Sequence, residues 1–241
     1  MKTISILHTG GTIASKVGEK GGVSVKFDAK DILKLYPEIK KLTRITSRKI
    51  FNVWTEDMNF QHFNILAKEI EQEVKSGKDG VIITLGTDIM HYTSAALSFI
   101  LEDLPIPIIL VGAQRSSDRG STDAALNLVS AVNFINKTDF AEVAVCMHSS
   151  QEDTHCSILQ GTKVRKFHTS RRDAFKSVNT KPFALVYHDE GFDLLRKDYK
   201  KVNKNQHLKL KLFNPKIKVA LLKAFPNFSS DLLKNFSNYD G

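Results

Sequence analysis

Five short apolar runs alternate along this chain with longer stretches whose apolar residues recur at helical spacing, and that rhythm restricts the fold more than any other feature. The runs are 2–8 (KTISILH), 45–53, 80–85 (GVIITL), 107–111 (PIILV) and 143–147 (VAVCM). Residues 80–85 show no polar alternation, as a strand covered on both faces requires. Between the runs, 59–76 places Phe63, Leu66, Ala67, Ile70 and Val74 on one helical face and ends before Gly77. Helices are also expected at 91–102 and 118–136, and a short one carrying Ile32, Leu33 and Tyr36 between a capping Asp28 and Pro37. Strand and helix in alternation predict an α/β fold, a doubly wound and mostly parallel sheet.

After Ser157 the runs shorten, to 164–167 and 184–187, and a polar, lysine-rich stretch follows. We expect a first domain over 1–195, a basic linker over 196–214, and at 215–241 the start of a second, smaller α/β domain, with a strand at 216–223 and a helix at 229–236. The chain of 241 residues carries a net charge of +9, and residues 160–218 hold +11 of it against −2 elsewhere. Such a segment fits either a solvated surface or contact with a phosphate backbone. Two cysteines, Cys146 in an apolar strand-like run and Cys156 ten residues on, give no disulfide framework and no zinc spacing, and His148, His155 and Cys156 are expected at the surface and at strand ends, with no metal. No run of about eighteen apolar residues offers a membrane span, and the amino terminus lacks a signal-peptide layout. A cytoplasmic protein is expected.

In an open parallel sheet, ligands bind beyond the carboxyl ends of the strands. Those ends here carry Thr9-Gly10-Gly11-Thr12, Thr55-Glu56-Asp57, Gly86-Thr87-Asp88 and Gly112-Ala113-Gln114. Neither the dinucleotide fingerprint nor the P-loop spacing is present. Hydroxyls flanked by glycines, which let the backbone approach a ligand, suggest a nucleophile with an oxyanion pocket.

The segments Thr9-Gly10-Gly11-Thr12-Ile13-Ala14-Ser15, Gly86-Thr87-Asp88 and Val111-Gly112-Ala113-Gln114-Arg115 resemble the paired signatures of bacterial-type asparaginases, over about 2–241. The stretches 115–119 (RSSDR) and 164–175 (VRKFHTSRRDAF) look more like the amidotransferase branch of that family, the D subunits of archaeal-type glutamyl-tRNA(Gln) amidotransferases. The resemblance implies that Thr12 and Thr87 are catalytic threonines, that Asp88 orients the site, and that Lys166 handles the proton beside Thr87 and Asp88. It implies further that Thr55 and Glu56 hold the substrate's carboxylate and amino ends, and that Ala113 and Gln114 line the amide pocket. A threonine hydroxyl needs a base within hydrogen-bond reach. Family members also place a tyrosine in the mobile loop after the first motif. That loop, 16–22, aligns near Glu19 here, and no tyrosine occurs between Lys2 and Lys34, so either another residue substitutes or Thr12 is badly activated.

By resemblance, the expected function is release of ammonia from glutamine or asparagine for conversion of Glu-tRNA(Gln) to Gln-tRNA(Gln). No cofactor is expected in this chain, and ATP and Mg would serve a partner subunit. Expected partners are that subunit, further copies of this chain, indirectly the tRNA, and a separate chain supplying the rest of the second domain. Compared with members of the amidotransferase branch, a β-rich domain ahead of the first motif is not found in the sequence. A stand-alone asparaginase and an inactive binding or assembly fragment are the competing readings.

Overall fold

A computed structural model gives the structure of the chain, and the residues described are 1–11, 13, 15–17, 23–25, 37, 39–188 and 191–241, with backbone alone for 15–17, 23–25 and 40. Among them, eight strands form one sheet. At its centre lie β1 (Thr3–His8), β5 (Gly80–Thr84), β7 (Ile108–Val111) and β8 (Val143–His148), with β4 (Arg44–Lys49) beyond β1 at one edge. These five run parallel. Beyond β8 the sheet continues antiparallel through β9 (His155–Gln160), β12 (Ala184–Tyr187) and β13 (Phe192–Leu194). The fold is therefore α/β with a mostly parallel sheet. Three small two-stranded units join β2 (Ser15–Val17) to β3 (Val23–Val25), β6 (Leu101–Glu102) to β14 (Lys209–Leu210), and β10 (Val164–Lys166) to β11 (Phe175–Ser177).

Each central strand feeds two cores, which is why its sequence does not alternate. Ile4, Ile6, Ile82, Ile109, Val111, Ala144 and Cys146 face one side, under helices α1 (Ile39–Leu42) and α4 (Ala124–Lys137). Leu7, Val81, Ile83, Ile108, Leu110, Val145 and Met147 face the other, under α2 (Phe60–Lys75) and α3 (Met90–Ile100). In the first core Phe134, Phe140 and Phe183 meet edge to face at 5.2 and 5.1 Å between ring centres. Burying one such ring contributes about 1.5–3 kcal/mol. Helix α2 starts where Asn59 accepts a hydrogen bond from the Gln61 amide and His62 closes a capping box, and Gly77, at φ +77°, follows its end.

Several expected boundaries shift. The second strand stops at Lys49 instead of running to 53. The helix expected from 118 starts at Ala124, because residues 116–123 form turns in which Asp123 is bonded elsewhere. His148 is the last residue of β8, a strand end as expected, but it and Cys156 are buried and do not lie at the surface. Within the expected linker, β14 pairs with β6, and Phe213 packs on Phe60 and Phe63 while Asn64 bonds both its N–H and its carbonyl. Residues 216–223 form no strand, since none of the described strands runs alongside to take up their backbone groups. The expected helix at 229–236 is a 3-10 helix, Ser230–Phe236, with no buried residue. The expected helix between Asp28 and Pro37 lies outside the described residues up to Tyr36, as do residues 18–22 of the expected loop, Glu19 included.

Candidate active site

The strand ends of β1, β5 and β7 approach so closely that only glycine fits between them. Gly11 has φ +81°, and a Cβ there would lie 2.2 Å from the Gly86 amide nitrogen. At Gly112 a Cβ would lie 2.9 Å from the Thr87 methyl and 2.4 Å from Met90 Cε. Gly86 in turn backs onto Thr55, the first residue of a short 3-10 turn, Thr55–Asp57, that follows β4. Four chain segments distant in sequence thus meet around Gly86 and Thr87.

Lys166 arrives from outside the parallel sheet. It is the last residue of β10, paired with Phe175 in β11, and its ammonium donates to Thr87 Oγ1 at 2.7 Å and to Asp88 Oδ1 at 2.9 Å. The side chain of Lys166 is 8% exposed and that of Asp88 59%, so the pair sits at the mouth of a site with Thr87 below it. Thr87 donates onward to Gln114 Oε1 at 3.1 Å, and Gln114 Nε2 donates to the Arg171 carbonyl at 3.0 Å. The direction of donation is therefore continuous from Lys166 through Thr87 and Gln114 to the 167–174 loop.

Of the other expected site residues, Thr55 is buried and donates to the Glu56 carboxylate at 3.3 Å, while Glu56 itself is exposed. Ala113 is buried beside Gln114. Thr12 lies outside the described residues. A hollow of about 360 Å³ opens next to Gln114, lined by Arg115, Gln151, Ser170 and Arg172. The larger cavity, about 780 Å³, lies at the opposite ends of the strands, around Lys2, Asp79 and Pro105, and contains none of these residues.

Two residues that sequence reasoning passed over hold the turn at 112–115. The fully buried Asp123 accepts hydrogen bonds from the backbone of Gln114, at 2.9 and 3.1 Å, and of Arg115, at 3.0 Å. Asn127 donates to the Gly112 carbonyl at 3.0 Å. Beside the site, burial together with the charges of Arg165 and Lys166 holds His91 below its ordinary pKa, and its Nδ1 is buried without a hydrogen-bond partner. No group of three or more metal-binding side chains occurs among the described residues, and no described helix is long and apolar enough to cross a membrane.

A threonine hydroxyl, a lysine ammonium and an aspartate gathered beyond the ends of a mostly parallel sheet are groups suited to acyl-transfer chemistry. The chain belongs to the asparaginase family: residues 3–198 match the asparaginase amino-terminal domain. Among curated relatives, the D subunit of the glutamyl-tRNA(Gln) amidotransferase of Pyrococcus furiosus is 46% identical over 235 residues, 97% of this chain and 53% of that protein. The protein of the same name from Methanosphaera stadtmanae is 43% identical over 245 residues, 100% of this chain and 55% of its own length. The chain thus spans about half the length of the curated relatives it matches. Among solved structures, the thermostable L-asparaginase from Thermococcus kodakarensis superposes with a TM-score of 0.82 at 28% identity, covering 98% of this chain and 68% of that one. L-asparaginase I from Vibrio cholerae gives 0.82 at 26% identity, covering 97% and 68%.

Proposed function

We propose that this chain carries the amide-cleaving site of a tRNA-dependent amidotransferase, acting as a glutaminase or asparaginase. The observation that supports it best is one ammonium held at 2.7 Å from Thr87 Oγ1 and 2.9 Å from Asp88 Oδ1, at the ends of parallel strands. The reaction has two halves. A threonine oxygen, from Thr12 or Thr87, adds to the amide carbonyl; the C–N bond breaks, the threonine's proton leaves with the nitrogen, and ammonia and an acyl ester result. Water then cleaves the ester and restores the hydroxyl. Lys166, with Asp88 fixing its position, handles the proton that passes from the attacking hydroxyl to the leaving nitrogen. Thr55 and Glu56 hold the carboxylate and amino ends of the substrate, and Ala113 and Gln114 line its amide.

The names of the relatives at 42–46% identity favour glutamyl-tRNA(Gln) amidation over free asparagine hydrolysis. Under this reading the ammonia passes to a partner subunit that uses ATP and Mg, and further copies of the chain and an indirect tRNA contact complete the assembly. The test is ammonia release from glutamine and from asparagine, with and without that partner. Substituting Thr12, Thr87 or Lys166 by Ala is expected to lower the rate at least about a hundredfold. Undiminished rates in all three would remove the amidase reading, and full asparagine turnover without any partner would favour a free asparaginase.

A further inference from the structure

A second line of polar groups, unused in the chemistry above, runs behind the strand ends to the loop that follows Lys166. Asp123, Asn127 and His148 are all fully buried. From the turn at 112–115, held by Asp123 and Asn127, the line continues through Asn127 Oδ1 to His148 Nδ1 at 2.7 Å and from His148 Nε2 to Asp153 Oδ1 at 3.0 Å. The same Asp153 oxygen accepts from Arg172 Nη1 at 2.9 Å. Arg172 also donates to the carbonyls of Gln151, at 3.3 Å, and Ser121. Arg172 therefore clamps three segments at once.

Its place in the chain gives this clamp a consequence. Arg172 and Arg171 are adjacent in the loop that joins β10 to β11, and Gln114 already grips the Arg171 carbonyl from the site side. Both attachments trace back to the turn at 112–115. Strands β10 and β11 have three residues each, too few to hold a hairpin rigid alone, and Lys166 sits at the last of them. We propose that Arg172 is a positioning residue: through Asp153, His148 and Asn127 it locks the loop after β10 onto the amide-pocket turn, and so fixes the Lys166 ammonium against Thr87 and Asp88.

Arg172→Ala and Asp153→Asn, singly and together in the full chain, test this. Each folded variant, checked by circular dichroism, is treated with a small amine-reactive ester, and modification of Lys166 is followed by peptide mass spectrometry. Lys166 is expected to react about fivefold faster in either single variant, as local opening exposes it, with other lysines unchanged and the double variant no faster than the singles. In ammonia release, which rests on the amidase reading above, kcat should fall about tenfold with KM within about twofold, the pattern of a misplaced proton-handling group. Arg172→Lys, which keeps one donor for Asp153, should recover part of it. Lys166 labelling at the wild-type rate in both folded variants, or effects that multiply in the double variant, would overturn the proposal. Absence of ammonia release from the wild type would count against the amidase reading alone, since labelling still decides the role of Arg172.

Discussion

Gly11 is the residue on which the approach of β1 to β5 depends, since both its φ of +81° and the mere 2.2 Å that would separate a Cβ from the Gly86 nitrogen exclude a side chain. Gly11→Ala is expected to destabilise the chain by about 2–3 kcal/mol, read from chemical denaturation, and to lose ammonia release even under conditions where it folds. Residues of this kind were legible from sequence because glycines beside hydroxyls at strand ends stand out. Thr87 and Asp88 stood out at a strand end, whereas Lys166, one lysine in a basic run, was singled out only by the family resemblance; the structure brings the three within hydrogen-bond distance. Asp123 and Asn127 were not legible, because a buried polar group in a helix is recognised only once the backbone groups it satisfies are known.

At the scale of elements, the hairpin bearing Lys166 is closed by Asp173, which accepts from Arg171 at 2.9 Å and Lys176 at 3.2 Å. Its hydrogen bond with Arg171, with support from Lys176, holds the carboxyl at about 2, below the ordinary 3.8. A carboxyl lowered on folding adds stability that is present above its ordinary value and lost as pH falls through its folded value. Asp173→Asn should therefore be less stable than wild type at neutral pH, and the gap should close between about pH 4 and pH 2; denaturation midpoints across that range check it. A gap independent of pH would assign the loss to something other than this charge. Helix α2 was readable almost to the residue, because period, cap and terminal glycine agree. The start of α4 was not, since Asp123 spends its carboxylate on the neighbouring turn, and residues 216–223 have strand composition without a neighbouring strand to pair with.

For the molecule as a whole, two cores share one sheet, and the segment after Phe213 adds little to either: Leu221 is 88% exposed, and Ile217, Val219 and Phe225 are exposed as well. Deleting 215–241 is expected to move the thermal midpoint by less than about 2 °C, whereas Phe213→Ala should cost about 2–4 kcal/mol by emptying the space between Phe60 and Phe63. A large drop on deletion would show that the segment is integral to the core. The doubly wound sheet was evident from the order of apolar runs, but its antiparallel extension through β9, β12 and β13 was not, because short strands carry little periodicity.

The hairpin that delivers Lys166 is separated from Thr87 by 79 residues, and it joins no strand of the main sheet. Long closures of this sort come at an entropic disadvantage during folding. A refolding chain can thus regain its helix content while Lys166 still lies away from Thr87, and the loss of that lysine's amine reactivity marks the later moment of final docking.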